Sequence, residues 1–314
     1  MRAEQSVDEP RIALVGAGAV AGLVASWLEL AGAPTPLLCT RTPVEQLTIT
    51  GDGRGGRGTR TVPVTPVPGP ADAEPVDWVM LTVKAQDTAA TQPWLDALVG
   101  PDTVVVVLQN GVDHVERVQP LVGTATVLPA LVRASAERTG SGAVTHHLGN
   151  QLIVPEEPAG KSLAALLDGG ASVRQDPDFR TAAWHKLMVN IGSNPLTALT
   201  LRRCEVLREP EVAELCRSLL IETAAVGSSV GARLSGADVE EVLELFRSYP
   251  DDNGTSMYYD RVAGRPLEHD LLCGAVVRAA QEHDVPAPLN QAIWALTKAL
   301  SEGSTGNTPT EGNP

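Results

Sequence analysis

The stretch RIALVGAGAVA, residues 11–21, decides the fold of the first half of the chain. Its first five residues form a continuous apolar run, which is typical of a parallel strand buried on both faces. The motif G-x-G-x-x-A follows, directly after this strand and at the start of an apolar helix. Its first glycine permits a tight turn, its second lets backbone N–H groups approach a pyrophosphate, and its third small residue allows close helix–strand packing. We therefore predict a dinucleotide site at Gly16, Ala17, Gly18, Ala19, Val20 and Ala21. The alternative is a tight turn with no ligand.

Three more apolar runs, 35–39, 78–83 and 103–108, have the length and composition of buried strands. Polar residues follow them closely in the sequence, namely Arg41, Lys84 and Asn110. Ligands of an open parallel sheet lie beyond the C-terminal ends of its strands. We therefore predict that these residues face the same site as the glycine turn, with Lys84 either balancing phosphate charge or pairing with a carboxylate. Asn110-Gly111 is also simply a good turn sequence.

Arg41 indicates which dinucleotide is bound. Sites for NAD usually carry Asp or Glu after the second strand to hold the ribose 2′-OH, whereas arginine can pair with a 2′-phosphate. This sequence has Thr40-Arg41-Thr42 at that point. We therefore expect NADP(H), held by Arg41 with help from one of the two threonines. The alternative is an ordinary exposed arginine.

Composition limits the classes of partner. The 314 residues suit about two domains on the usual length prior, and the net charge of −14 argues against nucleic acid or an anionic membrane. There is no run of eighteen apolar residues, and the N-terminus is polar, so we expect neither a membrane span nor a signal peptide. The four cysteines show no CxxC spacing and lie in apolar surroundings, as expected of reduced thiols in a cytoplasmic protein.

Two short segments could suggest other functions. GDGRGGRGTR, residues 51–60, resembles an RGG-type RNA segment, but its position between two strand-like runs favours a hairpin tip. His146-His147 could suggest a metal site. Adjacent strand residues point to opposite faces, however, and there is no third ligand nearby, so we interpret the pair as strand surface and predict no metal.

The pattern of elements divides the chain near residue 176. Residues 1–10 look like a disordered lead, 11–175 form an NADP-binding domain, 176–301 form a helical substrate and catalytic domain, and 302–314 form a low-complexity tail. The alternating strands of 124–155 should complete the sheet of the first domain, and Ser235 with Asp238 predicts a capping box. The predicted class is α/β, a Rossmann-type doubly wound sheet with an all-helical C-terminal domain.

The helix predicted over 177–200 has an unusual distribution of polar residues. Asp176 should cap it, and Pro177 should occupy its first position. Its polar side chains fall in one stripe along the helix, while the other sides are mostly apolar. The stripe comprises Lys186, Asn190, Ser193, Asn194 and Thr197. We therefore expect a buried helix, kinked at Pro195, whose stripe lines a cleft that suits a small polar anion. The alternative is a satisfied polar seam in a core helix.

Taken together, these residues resemble the ketopantoate reductase (2-dehydropantoate 2-reductase) family over about residues 11–300. The resemblance rests on ordered motifs rather than on any single residue. They are Gly16-x-Gly18-x-x-Ala21, Arg41, Val83-Lys84, Gln109-Asn110-Gly111, Trp184-x-Lys186 with Asn190 and Asn194-Pro195-Leu196-Thr197-Ala198-Leu199, Ser256-Met257 with Asp260, and Gly264-Arg265-x-x-Glu268.

The resemblance implies an active site in a cleft between the two domains and hydride transfer from NADPH to C2 of a small 2-keto acid, the step that supplies pantoate to pantothenate biosynthesis. It implies that Lys186 is the general acid and that Glu268 belongs to the catalytic site. The substrate would be held by Asn110, Asn190, Asn194, Ser256 and Glu268. Arg41 and Lys84 would lie on the cofactor side, which Asn110 also borders.

Two alternatives stay open on the sequence alone. Leu267 and His269 flank Glu268 where the family more often has threonine and an aliphatic residue, so a related 2-keto acid with another substituent is a second candidate substrate. A non-catalytic NADPH-binding sensor is a third interpretation, although a sensor would not need the polar set of the second half. Apolar helix surface beyond residue 209 could also pair with a second copy of the chain.

Overall fold

The computed structural model describes residues 9–306, and within them the chain forms two compact units. The first unit comprises the residues up to 109 together with 113–177, and the second comprises 110–112 together with the residues from 178 onward. This division differs from the predicted one, which placed 110–112 in the first domain and 176–177 in the second. Residues 1–8 and 307–314, most of the predicted lead and tail, lie outside the described part.

The first unit is built on a six-stranded parallel sheet with the order β5-β2-β1-β6-β7-β8. In sequence order within this sheet, that arrangement is 3-2-1-4-5-6, the order of the Rossmann fold. The strands are β1 Ile12–Val15, β2 Leu37–Cys39, β5 Thr65–Val67, β6 Val76–Leu81, β7 Val99–Val107 and β8 Thr126–Pro129. The helices of this unit are α1 Ala19–Leu30, α2 Gln92–Leu98, α3 His114–Val122 and α4 Pro158–Leu166. The predicted α/β class is thereby confirmed.

A second sheet covers α1. Its strands are β3 Gln46–Thr50, β4 Thr59–Pro63, β9 Leu131–Gly140, β10 Ala143–Pro155 and β11 Ser172–Asp176. Strands β3 and β4 form the predicted antiparallel hairpin, whose tip is the glycine- and arginine-rich segment. The prediction that 124–155 completes the first sheet is right only for β8, because β9 and β10 pair with each other and β10 then pairs in parallel with β3 and β11.

Helix α1 packs against this second sheet through a glycine. A Cβ atom added at Gly22 would lie 2.7 Å from Cγ2 of Val144 on β10 and 3.1 Å from Cδ1 of Ile49 on β3. Real Cβ atoms almost never approach so closely, so Gly22 is what allows the helix to pack tightly against the two strands. Trp27, further along the same helix, is fully buried in the core of the unit.

The second unit is helical throughout its described residues. Its helices are α5 Phe179–Thr200, α6 Pro210–Ser229, α7 Gly236–Ser248, α8 Ser256–Val262, α9 Cys273–Glu282 and α10 Pro288–Gly306. Ser235 and Asp238 form the predicted capping box at the start of α7. Helix α10 runs to Gly306, so the prediction of a disordered tail from residue 302 is wrong over 302–306. None of the helices within 9–306 is long and apolar enough to cross a membrane.

Helix α5 is the central element of the second unit. Its side chains contribute to the core between α6, α7, α8 and α10, and Leu187, Met188 and Ile191 are fully buried there. The helix begins two residues later than predicted, because Asp176 ends strand β11 and Asp178 is the cap. The Asp178 carboxylate accepts a hydrogen bond from the backbone N–H of Thr181, and its side-chain and backbone hydrogen bonds with Thr181 lower the pKa of this carboxyl.

Candidate active site

The glycine turn lies at the C-terminal end of β1, the central strand next to the point where the strand order reverses. Gly16 has φ +115°, a conformation that favours glycine, and its N–H donates to the carbonyl of Cys39 on β2 at 3.1 Å. A Cβ at Gly16 would lie 3.0 Å from the backbone nitrogen of Val83, just past β6. The turn is therefore held between the ends of both neighbouring strands.

Gly18 differs from Gly16 and Gly22 because no nearby protein atom would clash with a side chain at this position. It has extended backbone, and a Cβ added there would meet nothing within 4 Å. It is also the N-cap of α1 and supplies no side-chain cap, so the first N–H groups of the helix receive no hydrogen bond from its side chain. Open space beside an uncapped helix N-terminus is what a bound pyrophosphate requires. The residues present therefore fit a dinucleotide.

The other predicted cofactor residues follow the neighbouring strands. Arg41 is exposed just beyond β2, and Lys84 is half-buried just beyond β6. Strand β1 lies between these two, so Arg41, the glycine turn and Lys84 follow the C-terminal ends of three adjacent parallel strands. This is the arrangement that the sequence predicted for them. Asn110 belongs to the second unit and is described with it.

Gln109 is a residue for which the sequence suggested a motif but no role. It is buried, and its Nε2 donates to the carbonyl of Val83 at 3.0 Å and to Oγ1 of Thr88 at 2.9 Å. Its Oε1 accepts from Arg117 at 3.2 Å, and its backbone carbonyl is 2.9 Å from Nε2 of His114. Gln109 therefore joins the ends of β6 and β7 within the first unit. A buried polar residue at a strand end was the available signal.

In the second unit three predicted site residues form one hydrogen-bonded chain. The Nζ of Lys186 donates to Oδ1 of Asn110 at 3.4 Å, and Nδ2 of Asn110 donates to Oε2 of Glu268 at 3.0 Å. These partners determine the orientation of the amide, because an ammonium can only donate and a carboxylate can only accept. An amine and a carboxylate are thereby held on either side of one amide.

Two amides and a hydroxyl accompany this chain. Asn190 and Asn194 lie one and two turns beyond Lys186 on α5, and Ser256 is the first residue of α8. Within the described part of the chain, the side chains of Asn190 and Asn194 have no hydrogen-bond partner, although Asn194 is only 5% exposed. Their amide groups are therefore available to bond a polar ligand. Ser256 is exposed.

The predicted polar stripe is only partly available to a ligand. The hydroxyl of Ser193 donates to the Val189 carbonyl at 2.7 Å. The hydroxyl of Thr197 bonds the Ser193 carbonyl at 3.0 Å and pairs with Thr255, which caps α8, at 2.7 Å. Hydroxyls on a helix commonly bind the carbonyl one turn back. The hydroxyls of Ser193 and Thr197 are therefore used within α5 and in its contact with the cap of α8, and the interpretation that they line a cleft is wrong.

Glu268 lies in the turn before α9, which begins at Cys273. Its side chain is buried, with only 5% of the residue exposed. Its backbone carbonyl accepts from the N–H groups of Leu271 and Leu272, both at 3.2 Å. Asp260, another motif residue, is paired with Arg265 at 2.9 Å, which fixes the chain ahead of this turn.

One group of side chains in the second unit could offer ligand atoms to a metal. The relevant atoms of His185, Asp238 and Glu241 lie within 4.8 Å of one another, and the His185–Glu241 distance is 3.8 Å. Exposed acidic groups commonly lie together without an ion. Glu241 is also exposed. We assign no metal to this group.

The sheet order, the glycine turn and the Lys186–Asn110–Glu268 chain together define an oxidoreductase of the Rossmann type that depends on a pyridine nucleotide. The family model described as ketopantoate reductase PanE/ApbA matches residues 12–158, and that of the ketopantoate reductase PanE/ApbA C terminus matches residues 178–301. The chain therefore belongs to the ketopantoate reductase family, which confirms the resemblance and the prediction of an enzyme.

Similar proteins cover nearly the whole chain. A 2-dehydropantoate 2-reductase of Mycobacterium tuberculosis is 44% identical over 93% of this chain and 98% of its own. One from Caulobacter vibrioides is 36% identical over 92% of this chain and 99% of its own. The solved structure of a dimeric ketopantoate reductase from Staphylococcus aureus superposes with a TM-score of 0.83 at 27% identity, covering 94% of this chain and 99% of that one.

Proposed function

We propose that the chain reduces 2-dehydropantoate to pantoate with NADPH, a step of pantothenate biosynthesis. The names of its relatives support the substrate, since two of them are 2-dehydropantoate 2-reductases that match this chain over nearly its full length. The observation that carries the proposal is the Lys186–Asn110–Glu268 chain, which begins on the helix that also presents Asn190 and Asn194. A small carboxylic acid with polar oxygens needs such a set of donors.

Lys186 is the general acid of the proposed reaction. The nicotinamide of the cofactor supplies a hydride when it is bound. As the hydride reaches C2 of the substrate, negative charge builds on the carbonyl oxygen, and a positioned ammonium can stabilise this charge and donate a proton to it. The amide oxygen of Asn110 is already 3.4 Å from Nζ of Lys186 and so directs the amine.

The remaining polar residues bind and orient the substrate. The free amides of Asn190 and Asn194 can donate to the substrate carboxylate without adding a charge, and the hydroxyl of Ser256 can bond either carboxylate or hydroxyl oxygens. Glu268 can accept a hydrogen bond from a substrate hydroxyl, and Asn110 keeps its carboxylate directed. The substrate is thus oriented by groups that tell its acid end from its hydroxyl end.

Arg41 and Lys84 belong to the cofactor side of the proposal. An exposed guanidinium after β2 can form a bidentate contact with a 2′-phosphate, which supports NADPH over NADH. Lys84 adds a positive charge near the glycine turn, where phosphate charge would gather. Both residues are proposed cofactor ligands together with Gly16, Ala17, Gly18, Ala19, Val20 and Ala21.

Loss of NADPH absorbance on addition of 2-dehydropantoate tests the function directly. A panel of other small 2-keto acids decides between the proposed substrate and a related one, because the preferred acid will show the highest kcat/KM. Binding of NADPH without oxidation by any acid of the panel would favour a sensor. With NADH in place of NADPH, we expect lower kcat/KM.

We further propose that the protein acts in the cytoplasm and forms a homodimer. Exposed apolar side chains on the helices of the second unit, among them Ile221 and Leu296, could be covered by a second copy. The Staphylococcus aureus relative is dimeric, which supports this. Light scattering at several protein concentrations measures the oligomeric state, and a mass of one chain throughout would contradict the dimer.

A further inference from the structure

The backbone of Leu267, the residue before Glu268, is hydrogen-bonded to two side chains. Leu267 is 4% exposed, and its N–H donates to Oγ of Ser301 at 2.9 Å. Its carbonyl is 3.0 Å from Nδ1 of His269. Because a carbonyl can only accept, Nδ1 of His269 must carry the hydrogen. The backbone N–H and the carbonyl of this buried residue are therefore both satisfied by side chains rather than by secondary structure.

Ser301 and His269 are both connected to helix α10, Ser301 as a residue of that helix and His269 through Asp270. Nε2 of His269 lies 3.5 Å from Oδ2 of Asp270, and Oδ1 of Asp270 accepts from the indole N–H of Trp294 at 2.7 Å. Trp294 and Ser301 are seven residues apart on α10, which places them on the same side of that helix. Helix α10 therefore positions the N–H of Leu267 directly through Ser301 and the carbonyl of Leu267 indirectly through Trp294, Asp270 and His269.

We propose that His269 and Ser301 are positioning residues that direct the carboxylate of Glu268. On its C-terminal side, the Glu268 carbonyl is already bonded to the N–H groups that follow it. His269 and Ser301 fix the backbone on the N-terminal side of Glu268. The Glu268 side chain therefore stays directed at Asn110. The inference rests on the proposed function, because it assigns these residues to the alignment of the substrate.

A displacement of Glu268 would be transmitted to Lys186 through the hydrogen-bonded chain. Glu268 is 3.0 Å from Asn110, and Asn110 is 3.4 Å from Lys186. If the Leu267 carbonyl loses its partner, the backbone will move toward another donor, and the Glu268 carboxylate moves with it. A displacement of about 1 Å at a reacting centre can cost about a hundredfold in rate.

Three substitutions of His269 separate positioning from simple packing. The amide nitrogen of asparagine falls near the place of Nδ1, whereas that of glutamine falls near Nε2. We expect His269→Asn to keep kcat/KM for the keto acid within about threefold, and His269→Gln and His269→Ala to lose about ten- to a hundredfold, mostly in KM. The Kd for NADPH should not change. Equal values for the asparagine and glutamine variants would overturn the proposal.

Substitution of Ser301 is a second test of the proposal, and substitution of His283 is the control. Ser301→Ala should lower kcat/KM in the same direction as His269→Ala, and the double variant should lose less than the product of the two single losses, since both side chains bond the backbone of Leu267. His283→Ala changes an exposed histidine at the end of α9 and should leave kcat/KM unaltered. Full additivity of the two losses would contradict a shared role.

Crystal structures of the variants test the inference without turnover. The distance between Nδ2 of Asn110 and Oε2 of Glu268 should stay near 3.0 Å in His269→Asn and lengthen in His269→Gln. An unmoved carboxylate in His269→Gln rejects the positioning role, whatever the enzyme reduces. If instead the wild-type protein oxidises NADPH with no keto acid, the proposed function fails while this structural outcome still decides the inference.

Discussion

The side chain of Asn110 bonds to both an amine and a carboxylate, so one small neutral residue links the two charged groups of the proposed site. The motif residues Lys186, Asn110 and Glu268 could be named from the sequence, because each residue type suits the chemistry of carbonyl reduction. Ser193 and Thr197 could not be separated from them. Helical periodicity shows which residues share a face but not whether a hydroxyl turns back to its own carbonyls.

The role of Lys186 leads to the first prediction. Lys186→Ala should lower kcat by about two to four decades, the usual size of a general-acid contribution, while the Kd for NADPH stays nearly the same. Steady-state kinetics and fluorescence titration measure these two quantities. Lys161→Ala, an exposed lysine on α4, is the matched control and should retain full activity. An unchanged kcat in Lys186→Ala would remove the residue from the mechanism.

Arg41 supports a prediction on cofactor choice. Arg41→Ala should raise KM for NADPH by roughly tenfold or more, because a charge-assisted hydrogen bond to the 2′-phosphate is lost, and should leave KM for NADH nearly unaltered. Arg57→Ala removes an equally exposed arginine from the hairpin tip and serves as the control. Parallel changes for both nucleotides would show that Arg41 does not read the 2′-phosphate.

At the scale of elements, strands β1, β2, β6 and β7 of the first sheet were predictable because each contains a short apolar run, as buried strands do. Of the second sheet, only the β3–β4 hairpin was predictable. Alternation over 124–155 indicates an exposed face but does not say which sheet a strand joins, and β10 pairs in parallel with β3 and β11. The start of α5 was missed for a related reason. Asp176 and Asp178 are equally good caps, and pairing with β10 places Asp176 in β11.

The glycines at either end of the first turn of α1 should respond differently to the same substitution. Gly22→Ala puts a Cβ 2.7 Å from Val144 and should lower the free energy of unfolding by about 1–3 kcal/mol. Gly18→Ala meets no protein atom and should leave stability nearly constant while weakening NADPH binding. Urea unfolding and cofactor titration of both variants measure the contrast. Similar stability losses in the two would mean that Gly18 is structural.

At the scale of the whole molecule, the reactivity of four cysteine thiols shows whether both units are folded. Cys39, Cys204, Cys216 and Cys273 are all buried and form no disulfide. Burial raises the pKa of Cys39, Cys216 and Cys273 to about 12 and that of Cys204 to about 11. A thiol reagent at pH 8 should therefore find no rapidly reacting group in the folded protein and four after unfolding in urea. Rapid reaction of any thiol in the folded state would contradict this.

The same thiols predict a loss of stability at high pH. Their ordinary pKa is 9.0, so between about pH 9 and 12 an unfolded thiol releases a proton that the buried thiol retains. The unfolded state then binds fewer protons, and the free energy of unfolding should fall as the pH rises through this range. Urea unfolding at pH 8 and pH 10 measures the slope. Cys273→Ala should show a shallower slope than the wild type, and an identical slope would count against the effect.

The membership of residues 110–112 in the second unit matters to anyone who builds chimeras within this family. Exchanging everything before residue 178 for the corresponding part of a relative also exchanges Asn110, together with Val112, which packs against the core of the second unit. A swap intended to alter only nucleotide preference would thus import a foreign amide beside Lys186 and Glu268. A chimera that exchanges only the first unit needs three junctions, at 109/110, 112/113 and 177/178.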